Sequence, residues 1–139
     1  MKLHSSVFPD HFPNDLKKVI RKVVKFEGYH AYSNAALADG WCEIASINFN
    51  SICEEVNELW KIRLVAFSKN SNSEEACNWK HRYGYNVYSY DDVDHDWYKF
   101  GCNWPGHVIS LIGNWAIDFT ARQFTPYAPC PLLFKFYEF

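Results

Sequence analysis

Cys42 is the residue of this sequence with the clearest potential for covalent chemistry. A cysteine attacks as its thiolate, and a helix N-terminus or a neighbouring imidazolium lowers the thiol pKa. Cys42 is the one cysteine that we predict at a helix start, whereas Cys53 falls mid-helix and is expected to be a small core residue. Asp39 would oppose thiolate formation, and a cysteine at a helix start is in many proteins only a small residue. The thiol therefore needs a base and an orienting group from elsewhere.

His107 and Asp118 are the candidates for that base and orienting group, because a predicted hairpin brings them together. Two strands, residues 107–112 and 115–120, flank Gly113-Asn114, and a Gly-first pair suits a type II′ turn. With a two-residue loop, His107 pairs with Thr120, and Asp118 lies diagonal to His107 on the same face, about 7–8 Å away at Cα. A three-residue loop would place the two on opposite faces.

Asp118 is the unusual member of this group. Aspartate is depleted in strands, yet Asp118 stands between Ile117 and Phe119. A buried carboxylate without a partner is costly, so Asp118 is expected to pair, and His107 is the nearest candidate. The alternative for His107 is an ordinary core or edge histidine. Trp104, Trp115 and Phe124 flank the proposed site, either as walls of a substrate groove or as core residues.

Two helices precede the predicted sheet. The first covers residues 15–26 and has apolar side chains at helical spacing. The second starts near Trp41, runs to about Trp60, and can be capped by Asp39 or Gly40. Its expected buried face consists of Ala45, Phe49, Ile52, Val56 and Leu59.

The remaining strands are predicted at residues 62–68 and 83–90. Helices followed by strands indicate an α+β fold with an antiparallel sheet. The 139 residues suit one domain, residues 1–139, with an aromatic-rich core. The second helix would place Cys42 over this sheet.

Composition excludes several classes of function. The net charge is −2 without a clustered basic face, so no nucleic-acid partner is expected. No apolar run approaches a membrane span, so no membrane partner is expected either. The five cysteines are widely spaced and lack a CxxC pair, which argues against disulfides and a zinc site. A chain with free thiols suits a reducing, cytoplasmic location, including the cytoplasm of a cell into which it is delivered.

Two segments resemble a known family. GHVISLIGNWAIDFTARQF, residues 106–124, resembles the His-and-Asp hairpin of papain-like fold toxins and effector deamidases, and GWCEIAS, residues 40–46, resembles their nucleophile segment. The resemblance implies a papain-like fold with Cys42 as nucleophile, His107 as base and Asp118 as its orienter. The upstream oxyanion-hole Gln or Asn of that family has no counterpart, since Asn34 stands eight residues before Cys42. The Cys42 backbone N–H could serve in part.

The function that we expect is a cysteine-dependent amidohydrolase acting on a protein, with glutamine deamidation favoured by the resemblance. A papain-like protease and a transglutaminase use the same triad and stay open. A non-catalytic papain-fold binding or inhibitor protein is the alternative from another class. No cofactor is required, and a cognate inhibitor or immunity protein is a further partner of the kind that a toxin would have.

Overall fold

The computed structural model describes residues 8–38, 41–68, 74–93, 97–98, 106–124 and 127–138. Helices come first along the chain and a five-stranded sheet follows, so the fold is α+β. The helices are α1 (Asn14–Phe26), α2 (Ala35–Ala38), α3 (Cys42–Val56) and α4 (Glu74–Tyr83). The strands are β1 (Ile62–Ser68), β2 (Asn86–Ser89), β3 (His107–Ile112), β4 (Trp115–Asp118) and β5 (Leu132–Lys135). Short 3₁₀ turns lie at Tyr29–Ser33, Tyr90–Asp92 and Ala121–Gln123.

The sheet has the strand order β2-β1-β3-β4-β5. Three of its pairs are antiparallel, but β1 and β2 are parallel. The expectation of a purely antiparallel sheet was therefore wrong at this edge. Parallel neighbours need a crossover connection, and α4 lies between β1 and β2 in the chain.

The two faces of the sheet carry different layers. One face packs on α1 and α3. Its core side chains come from both helices, from even-numbered positions of β3 and from odd-numbered positions of β4. They include Leu16, Ile20, Phe49, Ile112 and Ile117. The opposite face is covered by turns and chain ends instead of long helices, and its aromatic-rich core includes Phe67, Tyr90, Tyr98, Phe124, Phe136. His107 starts β3 at one end of this layered arrangement.

The first helix confirms its prediction, whereas the second differs from it. The side chains that α1 buries are its apolar ones. By contrast α3 ends at Val56, and Val56 and Leu59 are 50% and 88% exposed. Its buried face is rotated toward Ser46, Asn50 and Cys53. Two polar members of that face donate to strands: Ser46 Oγ to the Val108 carbonyl and Asn50 Nδ2 to that of Arg63, while Asn50 Oδ1 is buried without a partner.

Several strand boundaries also differ from the prediction. The expected strand at residues 83–90 is shorter, because α4 extends to Tyr83. β4 ends at Asp118, so Thr120 is not paired within the strand. β5 was not anticipated from the sequence. Within the ranges that the structure describes, none of the helices combines the length and the apolar character that crossing a membrane requires.

Candidate active site

The β3–β4 hairpin has the predicted two-residue turn. Ile112 pairs with Trp115, and Gly113 has a φ of 62°. Among the described non-glycine residues, His11 alone has a positive φ, so the φ of Asn114 is negative. Positive φ at the first central position and negative φ at the second are what a type II′ turn requires. The turn fixes the register that places His107 and Asp118 on one face. His107 Nε2 lies 2.7 Å from Asp118 Oδ2, which confirms the geometric prediction.

The Asp118 carboxylate is 1% exposed and hydrogen bonds through both oxygens. Tyr98 donates its hydroxyl to Oδ2 over 2.6 Å, in addition to His107. Thr120 donates its backbone N–H to Oδ1 over 2.9 Å, and its hydroxyl lies 3.3 Å from the same oxygen. Burial alone would raise the pKa of Asp118, but the His107 charge and these hydrogen bonds hold it below its usual value. The carboxylate is therefore an anion that fixes the imidazole.

The His107 ring is fully buried and held by aromatic edges as well as by Asp118. The ring centroids of Phe124 and Tyr98 lie 4.7 and 5.3 Å from it, at interplanar angles of 86° and 71°. Burial would lower the pKa of His107, but the Asp118 carboxylate and then the Cys42 thiol outweigh it and raise that pKa to about 10. The environment thus favours an imidazolium at neutral pH.

Cys42 is the first residue of α3 and approaches His107 from the helical layer. Trp41 is the N-cap residue of the helix and makes no side-chain capping bond. Burial would raise the pKa of the Cys42 thiol, but a hydrogen bond and charge interaction with His107 and the Val108 backbone amide lower it. In contrast, burial raises the pKa of Cys53 to about 12 and that of Cys130 to about 11. Of these three thiols, Cys42 is the one whose surroundings favour the thiolate.

A pair of small polar residues sets the distance between α3 and β3. Ser46, one turn after Cys42, donates to the Val108 carbonyl over 3.3 Å, and Ser110 Oγ donates to the Ser46 carbonyl over 3.2 Å. Both serines are buried. Their small side chains let the helix backbone approach the strand closely, and this approach brings the helix start to the end of β3 where His107 lies.

The aromatic residues that flank the site in sequence lie in different parts of the structure. Phe124 contacts the His107 ring, as described above. Trp115 is not a wall of the site: it lies at the turn end of the hairpin, packs against Phe12 at 4.9 Å between ring centroids, and borders an apolar pocket of about 240 Å³ there. Trp104, and the capping candidates Asp39 and Gly40, lie outside the described residues.

Asn34 also has a local role that differs from an oxyanion donor. Its Oδ1 accepts the backbone N–H of Ala36 over 2.9 Å, which caps the short helix α2. The structure thus assigns no upstream side chain of the described part to an oxyanion hole. The Cys42 backbone N–H, as the first of α3, has no acceptor within its own helix.

Sequence reasoning missed three residues that complete the site: Tyr98, Thr120 and Gln123. Gln123 Nε2 lies 3.2 Å from His107 Nδ1 and 3.2 Å from Thr120 Oγ1. Thr120 could have been anticipated, because an aspartate side chain commonly accepts the backbone N–H two residues later. Tyr98 stands in an acidic, aperiodic segment that gives no such signal.

Fold and site together define the class as an α+β protein in which a cysteine, a histidine and an aspartate are linked in one chain of contacts. In comparisons with known proteins, no family model, no curated protein and no solved structure matches this chain. The geometry of Cys42, His107 and Asp118 is therefore the basis for assigning a function.

Proposed function

We propose that this chain is a cysteine-dependent amidohydrolase with a papain-like arrangement, in which Cys42 is the nucleophile, His107 the proton-transfer group and Asp118 its orienter. The observation that carries the proposal is the buried His107–Asp118 pair, 2.7 Å between Nε2 and Oδ2, with the Cys42 thiol at the start of α3 close enough to His107 for the pKa of the thiol to be lowered. A nucleophile, a base and a group that orients the base are the components that thiol catalysis requires.

The first half of the reaction forms a thioester. The Cys42 thiolate attacks the carbonyl carbon of an amide, and the carbonyl oxygen becomes an oxyanion. His107 gives its Nδ1 proton to the amide nitrogen, the C–N bond breaks, and ammonia leaves if the substrate is a glutamine side chain. Asp118 stays ionised and keeps Nε2–H pointed at its Oδ2, so that Nδ1 faces the thiol.

The second half of the reaction consumes water. Neutral His107 takes a proton from water at Nδ1, and the resulting hydroxide attacks the thioester carbon. The C–S bond breaks, the product leaves as a carboxylic acid, and the thiolate–imidazolium pair is restored. The oxyanion of both halves would form at the start of α3, where the Cys42 N–H and the helix dipole favour negative charge.

We further propose a protein substrate that presents one glutamine side chain. His107 and Asp118 are buried and Cys42 is only partly exposed, so a narrow protruding group reaches the thiol more easily than an extended main chain. Trp41 and Ile44, each 48% exposed, and Ile47 leave apolar side chains exposed in the first turns of α3. Exposed apolar side chains near the helix start suit contact with a macromolecule better than with a small polar substrate.

We propose a reducing compartment for this activity, because a thiol nucleophile works there in its free form. The described cysteines, Cys42, Cys53, Cys77 and Cys130, are all free. A toxin or effector that acts in the cytoplasm of a target cell would work under these conditions. A producing cell would then need a cognate inhibitor, for which the exposed apolar side chains of the first turns of α3 offer a binding surface.

Mass spectrometry of candidate partner proteins, incubated with wild type or with Cys42→Ala, tests the reaction. Deamidation leaves the partner intact and adds about one dalton, since NH₂ is replaced by OH through a thioester. Partner fragments would instead establish a protease, and an amine joined with loss of ammonia would establish a transglutaminase. Identical partner masses with both forms, across substrates that wild type binds, would refute the enzyme.

Thiol labelling tests the nucleophile without a substrate. At pH 6, iodoacetamide should modify Cys42 at least about tenfold faster than Cys53 or Cys130, because a pKa difference of one unit corresponds to a tenfold difference in thiolate. His107→Ala should abolish this advantage. Equally slow labelling of all cysteines would favour the alternative of a non-catalytic binding protein, which the exposed Trp41, Ile44 and Ile47 also support.

A further inference from the structure

Gln123 contacts Nδ1 of His107, the ring nitrogen that does not contact Asp118. Gln123 ends the Ala121–Gln123 turn, and its Nε2 lies 3.2 Å from both His107 Nδ1 and Thr120 Oγ1. Its Oε1 is buried and has no hydrogen-bond partner. The imidazole is thus held at both nitrogens, by Asp118 at Nε2 and by Gln123 at Nδ1.

The direction of the Gln123 amide depends on the proton of Nδ1. An amide N–H can donate to Nδ1 only when that nitrogen is unprotonated. In a thiolate–imidazolium pair Nδ1 carries a proton, and two N–H groups would then face each other. The oxygen and nitrogen ends of an amide have nearly the same shape, so a half-turn about χ3 exchanges donor and acceptor within the same space.

The half-turn changes the contact with Thr120. The Thr120 hydroxyl has one proton, which goes to Asp118 Oδ1 over 3.3 Å while Oγ1 accepts from Gln123 Nε2, and in the reversed orientation that proton would go to Oε1. Because Oε1 has no hydrogen-bond partner as it stands, the contacts with His107 and Thr120 decide between the two orientations. Nε2 facing Nδ1 fits a neutral His107, and Oε1 facing Nδ1 fits the imidazolium.

We propose that Gln123 is a positioning residue whose amide turns with the protonation state of His107. Its Oε1 shares the Nδ1 proton with the Cys42 thiolate in the resting pair, and its Nε2 donates to Nδ1 once the proton has passed to the leaving group. Gln123 therefore stabilises the imidazolium and keeps the ring from rotating after it becomes neutral. The inference rests on the proposed function only through the Cys42–His107 pair and needs no knowledge of the substrate.

The test measures the pKa of His107 by the NMR shift of its ring Cε1, in the Cys42→Ala chain so that no thiolate contributes. Two variants separate the shape of the side chain from its ability to accept a hydrogen bond. Q123M keeps the unbranched shape without an acceptor, and Q123E keeps an acceptor. Loss of a hydrogen bond to a charged group should lower the His107 pKa by about one unit in Q123M, and Q123E should match or exceed the parent. The His107 signal is assigned by its absence in His107→Ala.

R122M is the matched control for a purely structural effect. Arg122 belongs to the same turn and donates to the carbonyls of Ala128 and Ser33, so its loss perturbs the turn without removing a contact of His107. R122M should leave the His107 pKa within a few tenths of a unit of the parent. The inference would be overturned if Q123M and the parent had the same His107 pKa. It would also be overturned if R122M lowered the His107 pKa as much as Q123M does.

Labelling of Cys42 in the chain that retains its thiol separates this inference from the proposed function. Q123M should move the pH profile of Cys42 alkylation upward, with about a tenfold slower rate at pH 6, and Q123E should recover part of that rate. If wild-type Cys42 proves inert while the His107 pKa still follows Gln123, the enzyme is refuted and the positioning role stands. A reactive Cys42 whose profile ignores Q123M refutes the positioning role alone.

Discussion

Removing the Tyr98 hydroxyl tests how the buried carboxylate of Asp118 is held as an anion. In Tyr98→Phe, Asp118 Oδ2 loses the 2.6 Å bond from Tyr98 but keeps the bond from His107. Hydrogen bonds to charged groups contribute about 1.5–3 kcal/mol, and three other donors remain on this carboxylate: His107 Nε2 and the backbone N–H and hydroxyl of Thr120. We therefore expect the free energy of unfolding at pH 6 to fall by about 1.5–2 kcal/mol.

The loss should depend on pH in a direction that follows from the pKa of Asp118. Its folded-state pKa lies below the usual value of about 3.9, so the stability that its donors provide is complete above that value and is lost as pH falls through the folded pKa. The variant has a higher folded pKa than the wild type. The difference in stability between the two proteins should thus be full at pH 6 and shrink as pH falls below about 4.

Tyr29→Phe is the matched control for this measurement. Tyr29 is also buried, but its hydroxyl donates to a neutral acceptor, the Ala45 carbonyl, over 2.7 Å. Its loss should cost about 1 kcal/mol with no change between pH 6 and pH 3, since neither group titrates there. Urea unfolding followed by fluorescence gives both curves. A Tyr98→Phe loss that is as independent of pH as that of Tyr29→Phe would refute the role of Tyr98 in holding the anion.

Four further substitutions have expected outcomes that other contacts of the structure determine. Glu138→Gln should lower the free energy of unfolding by about 1 kcal/mol at pH 7, a small loss because the ion pair of Glu138 with Arg63 Nε, 2.6 Å away, is partly screened by solvent. Below the lowered pKa of Glu138 the substitution should cost nothing, and urea unfolding at both pH values checks this. Gly113→Ala should lower stability by about 1–2 kcal/mol, since φ is positive there, as thermal unfolding would show. Ser110→Val should overpack the contact between α3 and β3, and Cys42 alkylation at pH 6 should become slower. Asp118→Asn should reduce turnover less than Cys42→Ala does.

The hairpin could be predicted because local rules determine it. Gly113-Asn114 between two apolar segments indicates a two-residue turn, and the turn fixes which residues share a face. The relation of His107 to Asp118 then follows from the alternation of side chains along a strand. No long-range information was needed, which is why this part of the candidate site agrees with the structure.

The buried face of α3 could not be predicted by counting apolar residues. Val56 and Leu59 are more hydrophobic than Ser46 and Asn50, yet Ser46 and Asn50 are buried while Val56 and Leu59 are exposed. The donors of Ser46 and Asn50 find acceptors in the backbone of β3 and β1, which reduces the cost of their burial, although Asn50 Oδ1 has no partner. Such acceptors become visible only once the strands are placed, because they belong to residues far away in the chain.

Tyr98 and Gln123 were missed for a related reason. Neither lies in a segment with a helical or strand period, and each acts through one side-chain contact with a residue that the hairpin presents. α4 and β5 were missed because their segments are short and carry no clear period. Contacts of this kind depend on how turns cover the second face of the sheet.

The candidate site depends on both layers of the protein, and this explains why its three residues are so far apart in sequence. Asp118 and His107 are fixed by one hairpin, whereas Cys42 reaches them only because Ser46 and Ser110 bring α3 close to β3. The thiol gains the helix N-terminus from one layer and the imidazolium from the other, and both favour its thiolate. A change in the packing between the layers would therefore alter the pKa of Cys42 while leaving the His107–Asp118 pair intact. The reactivity of the thiol is in this sense a property of the packing between helix and sheet.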